Sequence, residues 1–529
     1  MNDSNVANPP SDEVEPTRPP SEIRVPDLNL HFGEGEDTTP GIQYVLGKGT
    51  PTDTGNAYRF ARLCGSVVRY VPEEDVWLVW DGNRLKRDDA NIVLDMTISV
   101  CTDVIKHIIT VPEDDRRRWR DWARVTESAA RRKAMLELAR SLPALIVHTA
   151  ELDANPLLIN YPNGTYDGVE RRMREHRMGD YITRMCPTAY DPVAEDAIWQ
   201  KVLNELFDDG DPYKELKLKH LQLFAGYTLL GLTNEKKVLA PFGPRDTAKS
   251  TVTEAIYSAL GDVTDGGYAT TWDAEVIQAN SRINRAEKIH KSHGARMIIV
   301  GELEKGSRMA DGFLKRFSGG DTVDARPMYK PSYSTRPQAK VWMPTNYIPK
   351  SSDPAMQGRL DLLPFRHVPE KIDRSIIDYL QRSMSAHQAV LAWAMRGLIE
   401  YLEARDIGVQ YPLGETPWLD ALIEDYARDS NPLLDFTAAC FDFSDEEEMH
   451  SSHVDFVWAT YVTWAQDNVG RPLKRRTFER ALVESGYVKR RIPAKAGPMC
   501  WFGLQVKPSS ELPSGIIEIL RLRWPGCCP

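Results

Sequence analysis

The chain has 529 residues and a net charge of −10, with 42% apolar and 27% charged residues, which is ordinary for a soluble protein of about three domains. It contains no apolar run near the ~20 residues that cross a bilayer, and its first residues lack the basic and apolar regions of a signal peptide. We therefore expect a cytoplasmic protein with no membrane partner. Its seven cysteines are sparse and form no CxxC pair, which fits a reducing compartment and argues against a zinc site.

The N-terminal part divides into a leader and a folded region. Residues 1–51 are rich in proline and acidic residues and poor in apolar ones, so they cannot offset the entropy lost on ordering, and we expect them to be disordered. This leader is either a solvated segment or an acidic shield for a basic surface. Residues 52–193 follow as an α+β region, where a helix from Thr54 precedes strand patterns at Val67–Val71 and Val76–Trp80.

Helical patterns continue through residues 91–142, and a further strand is predicted at Leu152–Asn160. The helical stretch carries a cluster of basic residues between Arg116 and Arg140. Such a cluster is typically a solvated helix face, and contact with phosphates is the alternative. Residues 194–234 predict a helical linker, because their apolar positions recur at helical spacing.

Residues 235–370 alternate strand and helix patterns, as an α/β nucleotide-binding domain does. Between the apolar run Val238–Phe242 and a helical pattern at Thr251–Leu260 lies a loop of the phosphate-binding type. In such loops, backbone N–H groups and a helix N-terminus hold phosphates, a lysine neutralises charge and a hydroxyl holds magnesium. The predicted ATP-binding residues are Gly243, Pro244, Arg245, Asp246, Thr247, Ala248, Lys249, Ser250 and Thr251.

Ala248 departs from the loop pattern, which has glycine at this position. Its methyl group either crowds the phosphate or strains a backbone that glycine would adopt freely. Taken alone, the loop is equally consistent with an ordinary strand–turn–helix corner, and the segments that follow it decide between the two.

Acidic and polar residues follow the loop in an order that suits triphosphate hydrolysis. The strand pattern Ala295–Val300 runs into Glu302 and Glu304, of which one can hold the magnesium shell and the other orient or deprotonate water. The two share one face if the strand continues that far. The next strand, Lys340–Met343, ends near Asn346, whose amide can sense the γ-phosphate.

Basic residues complete this region. A predicted hairpin carries Arg326, Tyr329 and Lys330. Arg359 precedes a further apolar run, outside the strands that form the site. That position suits an arginine finger offered to a neighbouring subunit.

The C-terminal part is predicted as a helical extension, residues 371–440, a basic domain, residues 441–507, and a tail, residues 508–529. In the basic domain, the order helix, turn, strand, basic loop, strand is that of a winged helix-turn-helix. DNA binding is one interpretation, and a basic protein-docking face is the other, because charge does not name the partner. The side chains that we predict to contact DNA are Lys474, Arg475, Arg476, Arg480, Lys489, Arg490 and Arg491.

A resemblance to a known family is carried by several ordered segments. The chain contains, in order, GPRDTAKST, MIIVGELEKG, LKRFSGGDTVDAR, KVWMPTN and GRLDLLPF. Together they resemble the superfamily 3 helicase core, and in particular the phage and plasmid primase-helicase family, which is related to the poxvirus helicase-primase. The stretch from TDTGNAYRFARLCG to DYIT resembles the pre-helicase region of that family, and the basic C-terminal block resembles its winged-helix domain. The resemblance covers about residues 52–507.

The resemblance implies an AAA+-like α/β ATPase that forms a homo-hexameric ring, uses ATP and Mg²⁺, and moves along single-stranded DNA. In such rings the hairpin points into the channel and grips the DNA backbone. The residues that it assigns are Lys249 and Ser250 for phosphate and Mg²⁺, Glu302 and Glu304 as strand-end acids, Asn346 as the sensor, Lys315 as a trans-acting basic residue and Arg359 as the finger.

The family pattern is incomplete in two respects. Arg245, Thr247 and Ala248 stand where many members have glycine, asparagine and glycine, which bears on the hydrolysis rate more than on the fold. The sequence also leaves no room for a catalytic primase domain ahead of the pre-helicase region. We therefore expect a separate primase, and a separate polymerase, as partners.

Two functions follow from these features. The first is an ATP-dependent replicative DNA helicase of a phage or mobile element, acting on single-stranded and forked DNA in the cytoplasm of a bacterial host. The second is an ATP-binding replication initiator or loader with weak or no hydrolysis, which Ala248 motivates. We expect Ala248 to tune the loop, because the lysine, the hydroxyl and the partner residues all remain.

Overall fold

The computed structural model is a mixed α/β protein with a central parallel sheet. The two termini lie largely outside the described part, including most of the predicted leader and tail. No helix in that part is long and apolar enough to cross a membrane. The residues that the structure describes are 50–208, 210–303, 307–328, 330–348, 351, 353–369, 373–419, 422, 432–442, 451–468, 472–492, 497–508 and 512.

The first part packs helices against a three-stranded antiparallel sheet of order β1–β2–β3. The first helix begins where Thr52 accepts a hydrogen bond from the Gly55 N–H at 3.0 Å. The predicted helical stretch 91–142 forms three helices, because Pro112 and Ser128 occupy new N-cap positions. The elements are α1 Asp53–Cys64, β1 Val68–Val71, β2 Val76–Trp80, β3 Leu85–Arg87, α2 Ile92–Thr110, α3 Glu113–Thr126 and α4 Ala129–Ala139.

A second three-stranded antiparallel sheet and two helices lead to the central sheet. The strand predicted at Leu152–Asn160 begins only at Leu158, because the Asn155 side chain accepts the Leu157 N–H at 3.0 Å and forms a turn there with Pro156. The elements are β4 Leu158–Tyr161, β5 Gly164–Asp167, β6 Arg172–Arg174, α5 Ala197–Glu205 and α6 Lys214–Leu229.

The central sheet has five parallel strands in the order β13–β7–β12–β9–β8. Its strands are buried, as expected for continuous apolar runs in a parallel sheet. A long helix, α12, packs against α6 and α7. The elements are β7 Val238–Phe242, α7 Lys249–Leu260, β8 Ala269–Trp272, α8 Arg285–Lys291, β9 Met297–Val300, α9 Asp311–Ser318, β10 Val323–Ala325, β11 Tyr333–Thr335, β12 Lys340–Trp342, α10 Pro354–Gln357, β13 Leu360–Pro364, α11 Arg374–Arg382 and α12 Met384–Asp406.

A buried ion pair ties α6 to β13. His220 Nε2 lies 3.0 Å from both carboxylate oxygens of Asp361, and His220 Nδ1 lies 2.9 Å from the Leu413 carbonyl oxygen. Both residues are 2% exposed. Because a carboxylate and a carbonyl only accept hydrogen bonds, both ring nitrogens carry a proton, and His220 is a buried imidazolium.

The N-terminal part is bonded to the edge of the central sheet. Arg184 donates from Nη1 to the Val263 carbonyl at 2.6 Å and from Nη2 to the His293 carbonyl at 2.7 Å. Arg84 Nη2 donates to the Asp265 carbonyl at 3.2 Å. These contacts cross the predicted boundary at 193/194, so the two regions share one surface.

The C-terminal part has a core of its own, in which the rings of Tyr461 and Phe478 stack 4.4 Å apart. It contains a three-stranded antiparallel sheet of order β15–β17–β16. Residues 420–421 and 423–431 of the predicted helical extension and residues 443–450 of the predicted basic domain lie outside the described residues. The elements are α13 Pro432–Cys440, β14 Phe441–Asp442, β15 Ser451–His453, α14 Val454–Asn468, α15 Arg475–Glu484, β16 Val488–Arg491, β17 Met499–Phe502 and β18 Gln505–Val506.

Candidate functional site

A cleft of about 520 Å³ lies at the carboxyl ends of β7, β12 and β9. Because β12 lies between the other two strands, the segments that follow all three meet at one edge of the sheet, where open α/β sheets bind ligands. The cleft is lined by Arg245–Thr251 after β7, by Glu302 after β9 and by Asn346 after β12. The structure therefore brings together the loop, the acid and the amide that the sequence singles out.

Lys249 lies within the loop and is 7% exposed. Its Nζ donates to the Gly243 carbonyl at 2.8 Å, to Thr247 Oγ1 at 3.0 Å and to the Pro244 carbonyl. Burial lowers the pKa of Lys249, and the carboxylates of Glu302 and Asp246 oppose that shift. The helix α7 begins at this lysine rather than at Thr251, so the free N–H groups of its first turn lie beside the ammonium group, an arrangement suited to phosphate.

The loop backbone is left-handed at Ala248, with φ 61° and ψ 8°. A residue with a Cβ loses about 1–2 kcal/mol in this conformation, so the methyl group strains the backbone. At Gly243, φ is 148° and an added Cβ would lie 1.9 Å from the Phe365 carbonyl oxygen. The first position of the loop, Gly243, therefore requires glycine, and the left-handed backbone at position 248 favours glycine over the alanine that is present.

Replacing Ala248 by glycine is expected to raise the free energy of unfolding by about 0.5–1 kcal/mol, since relief of the left-handed strain exceeds the added flexibility of the unfolded chain. Urea unfolding of the nucleotide-free protein measures this change in the free energy of unfolding. The control is Ala255→Gly in the same helix, which should destabilise by about 1 kcal/mol or more. A loss of stability in Ala248→Gly would contradict the strain.

Glu302 and Asn346 face each other across the strand ends. The Asn346 side-chain amide donates to Glu302 Oε1. The strand β9 ends at Val300, because the last pairing bond runs from the Gly301 N–H to the Trp272 carbonyl at 2.8 Å, where β8 also ends. The strand thus does not continue to Glu302, and the predicted common face with Glu304 is not formed by a strand. Glu304 itself lies outside the described residues.

The donors around the loop fit a magnesium ion bound with a nucleotide. Ser250 lies in the first turn of α7 and lines the cleft together with Glu302. Magnesium at nucleotide sites takes one or two protein ligands and completes its shell with phosphates and water. Among the residues described, no group of three or more His, Cys, Asp or Glu side chains could hold a metal ion, and this site does not need one.

Lys315 and Arg359 lie outside the residues that line the cleft. Arg359 donates from Nη1 to Ser318 Oγ at 3.2 Å and to the Lys315 carbonyl. The Lys315 ammonium group pairs with Asp353. The structure therefore places both predicted residues beside the end of α9, next to each other and apart from Lys249 of the same chain.

The predicted hairpin is formed by β10 and β11, which pair antiparallel. Arg326 Nε donates to the Lys330 carbonyl at 3.0 Å, and Lys330 Nζ donates to the Glu74 carbonyl at 2.6 Å. Glu74 belongs to the turn between β1 and β2, so the hairpin docks on the N-terminal part. Tyr329 lies outside the described residues.

The seven basic residues predicted to contact DNA in the C-terminal part are all exposed. Some are engaged within the domain: Glu479 pairs with Arg475 at 3.1 Å and with Lys489 at 2.8 Å. Arg476 and Arg480, four residues apart, lie on one face of α15. The helix α15 and β16 are linked by the pair of Glu479 with Lys489, so the two basic elements are neighbours.

Part of the basic cluster between Arg116 and Arg140 has a structural role. Arg132 Nε donates to Thr97 Oγ1 at 2.6 Å, and Arg140 pairs with Asp75 at 3.2 Å. Arg117, Arg118 and Arg120 are exposed on α3. The cluster therefore both ties the helices together and leaves a charged face to solvent.

Sequence reasoning missed the apolar end of the cleft. Three segments meet there: the end of α5 with the residues after it, the start of α11, and α7 beyond the loop. Helical spacing predicts only a core role for Val202 and Leu206, and the sequence singles out none of the others. Their separation along the chain leaves no local signal. The residues are Val202, Leu206, Phe207, Ile376, Ile377 and Glu254.

Comparison with known proteins identifies relatives of two kinds. A family model described as D5 N terminal like matches residues 57–208. The putative helicase L207/L206 of Acanthamoeba polyphaga mimivirus is 26% identical over 218 residues, which are 40% of this chain and 22% of that protein. The chain thus spans about a fifth of the length of this curated relative.

Solved structures with a similar course of the chain include two of the C-terminal region of NrS-1. One apo structure covers 85% of this chain and 98% of that chain, with a TM-score of 0.42 and 10% identity. An A form apo structure covers 83% and 96%, with a TM-score of 0.40 and 9% identity. Likeness at this level carries no argument about the present chain.

The matched segment 57–208 is the part bonded to the central sheet through Arg84 and Arg184. It includes the strands and turns in which the sequence resembles a pre-helicase region, and the curated relative is named a helicase. The matches therefore support a similarity to phage and viral primase-helicases, and the family model covers residues 57–208 of this chain.

Proposed function

We propose that this protein is an ATP-dependent replicative DNA helicase of a phage or mobile element, built on an AAA+-like superfamily 3 core. The observation that carries the proposal is the meeting of the Lys249 loop with Glu302 and Asn346 at one edge of a parallel sheet. A cation for phosphate, an acid and an amide beside it are the groups that phosphoryl transfer to water requires.

The chemistry follows from where these groups lie. Lys249 and the N–H groups of α7 bind the β- and γ-phosphates, and Ser250 and Glu302 hold the magnesium ion. The bound ion neutralises charge that develops on the phosphates. With Glu302 at the magnesium ion, Glu304 is the acid that orients or deprotonates the attacking water. Asn346 bonds Glu302 in the nucleotide-free protein, which keeps the carboxylate at the strand ends.

Ring assembly is supported by the place of the remaining cations. Arg359 and Lys315 lie together at the end of α9 and do not line the cleft of their own chain. A homo-hexameric ring brings such residues to the nucleotide of the neighbouring subunit, where an arginine finger stabilises the transition state. Within one chain, Lys315 pairs with Asp353 and Arg359 donates to Ser318. These contacts hold both side chains beside the end of α9.

Two basic surfaces suit single-stranded and forked DNA. The hairpin with Arg326 and Lys330 supplies cations for the backbone of a single strand. The C-terminal part, with α15 followed by the β16–β17 hairpin, has the order of a winged helix. Primer synthesis and elongation then belong to a separate primase and polymerase in the bacterial cytoplasm.

Replacing Arg476 by alanine is expected to weaken DNA binding by similar factors for different sequences and to reduce the slope of log K against log salt by about 1, as for the loss of one phosphate contact. Binding of a labelled duplex at several salt concentrations measures both. Arg172→Ala, an exposed arginine paired with Glu170 at 2.7 Å, is the control. Unchanged affinity and slope in Arg476→Ala would favour a protein-docking face.

A second candidate function is an ATP-binding replication initiator or loader. The strained backbone at Ala248 favours it, because the loop conformation that binds phosphate is less stable than with glycine. ATP hydrolysis with and without single-stranded DNA, together with displacement of a strand from a forked duplex, separates the two. Strand displacement supports the helicase. Nucleotide-dependent rings on DNA without displacement support the initiator.

A further inference from the structure

Glu254 is a cleft residue whose carboxylate has no partner among the residues that the structure describes. It lies on α7 one helical turn beyond Ser250 and lines the same cleft. Within the described part of the chain its carboxylate makes no hydrogen bond and no ion pair, and burial raises its pKa. Glu254 is half-buried, and a partly desolvated carboxylate without a protein donor costs free energy, so a ligand that brings donors would relieve this cost.

The walls around Glu254 are apolar. Val202, Leu206, Ile376 and Ile377 line this part of the cleft, and the ring of Phe207 lies 4.7 Å from that of Phe365. Apolar and aromatic walls with few polar groups are surroundings in which a nucleobase binds. The cleft therefore has a phosphate end at Lys249 and a base end beyond Glu254.

The position of Glu254 along α7 decides which part of a nucleotide it meets. Four residues separate it from Ser250, which at about 1.5 Å per residue is about 6 Å along the helix axis. The group that connects the phosphates to the base must cross this stretch. That group is the sugar, and its adjacent hydroxyls are hydrogen-bond donors that a carboxylate can accept together.

We propose that Glu254 accepts hydrogen bonds from the ribose hydroxyls of the bound nucleotide and makes the site selective for ribonucleotides over 2′-deoxyribonucleotides. The inference rests on the proposed nucleotide site and adds the class of nucleotide that it takes. Glu254 is a specificity residue here, and it contacts no reacting atom. An amino group of the base is the other donor that could reach Glu254. Removal of the 2′-hydroxyl weakens binding if Glu254 contacts the ribose but not if it contacts the base.

The test is calorimetric binding of ADP and 2′-deoxy-ADP, with magnesium, to the full chain and to Glu254→Ala. We expect the unaltered protein to bind ADP about 10-fold more tightly than 2′-deoxy-ADP, since a hydrogen bond to a charged group has about this effect. In Glu254→Ala the preference for ADP should disappear, because ADP loses the bonds from both hydroxyls whereas 2′-deoxy-ADP loses only the bond from its 3′-hydroxyl. Glu287→Ala, which removes an exposed carboxylate paired with Lys291 at 2.7 Å, should leave both affinities unchanged.

A second readout does not depend on the ligand. Because burial raises the pKa of Glu254, the charged carboxylate destabilises the nucleotide-free protein at neutral pH. Glu254→Ala and Glu254→Gln should therefore raise the melting temperature of the nucleotide-free protein. Glu254→Ala should at the same time lose the discrimination between ADP and 2′-deoxy-ADP. This also shows that the variants fold.

Each remaining outcome has one meaning. If the unaltered protein binds ADP but Glu254→Ala discriminates as before, the ribose contact is wrong and the nucleotide site stands. If Glu254→Ala weakens ADP and 2′-deoxy-ADP equally, Glu254 contacts another group, and the inference is overturned. If the unaltered protein binds neither nucleotide, the proposed function fails with it.

Discussion

Replacing Lys249 by alanine is expected to lower the rate of ATP hydrolysis by about 10²–10³-fold, with and without single-stranded DNA. Removal of one preorganised group that stabilises the transition-state charge has this magnitude. The ammonium group is held inside the loop by the carbonyls of Gly243 and Pro244 and by Thr247, so no other lysine replaces it without rebuilding the loop. Steady-state release of phosphate at saturating ATP measures the effect.

The control for Lys249→Ala is Lys291→Ala, which removes an exposed lysine paired with Glu287 and should leave turnover unchanged. The fold should survive in both variants, because burial already lowers the pKa of Lys249 and its charge does not stabilise the nucleotide-free protein. Turnover at the unaltered rate in a folded Lys249→Ala protein would remove the assignment of this site.

Replacing His220 by alanine is expected to lower the free energy of unfolding by about 3–5 kcal/mol, because it leaves the Asp361 carboxylate buried without a counter-charge. Asp361 is in β13, directly beside the strand that carries the phosphate loop. Urea unfolding near pH 6, followed by tryptophan fluorescence, reports the loss. Trp418, whose ring lies 5.8 Å from that of His220, is a local probe.

The pair also fixes the direction of the pH dependence. Burial would lower the pKa of His220, but the charge and hydrogen bonds of Asp361 outweigh it and raise that pKa. The stabilisation is therefore present below the unfolded pKa of about 6.5 and is lost as the pH rises through the folded value. Burial raises the pKa of Asp361, but the charge and hydrogen bond of His220 outweigh it and lower that pKa. The stabilisation that Asp361 contributes is therefore lost on acidification below about 4. His220→Gln should lack the alkaline loss.

A double variant separates charge from packing. His220→Leu with Asp361→Val replaces both ions by apolar side chains and should recover most of the lost free energy, since buried pairs often exchange for apolar groups at little cost. Equal instability of the single and double variants would mean that the contacts with Leu413 and Trp418, rather than the ion pair, hold α6 to β13.

The parts of the fold that the sequence predicts well are those with a local pattern. The apolar run Val238–Phe242 and the loop after it occupy the predicted places, because a buried parallel strand is a continuous apolar run. The hairpin at β10 and β11 and the order of elements in the C-terminal part also follow the prediction. The departures are at element ends, such as the early start of α7 at Lys249 and the stop of β9 at Val300.

The parts that the sequence does not predict depend on contacts between distant segments. Glu254 has the pattern of an ordinary helical glutamate, and only the apolar walls from α5 and α11 give it a role. His220 and Asp361 are 141 residues apart; Asp361 lies in the segment GRLDLLPF, but nothing in either local pattern indicates their pairing. The docking of Lys330 on Glu74 joins residues 256 apart. A single sequence carries no physical signal for such pairs, because each is set by how whole elements pack.

The bonded surface between the N-terminal part and the central sheet limits how this gene can be recombined. Arg84 and Arg184 donate to carbonyls in the loops that precede β8 and β9, and Lys330 donates in the other direction, to the N-terminal part. If recombination replaces only the N-terminal part or only the part with the central sheet, the new part must match every donor and acceptor of the part that is kept. Among the described residues, the C-terminal part has an apolar core separate from that of the central sheet, so an exchange of that part leaves the residues that line the cleft unchanged.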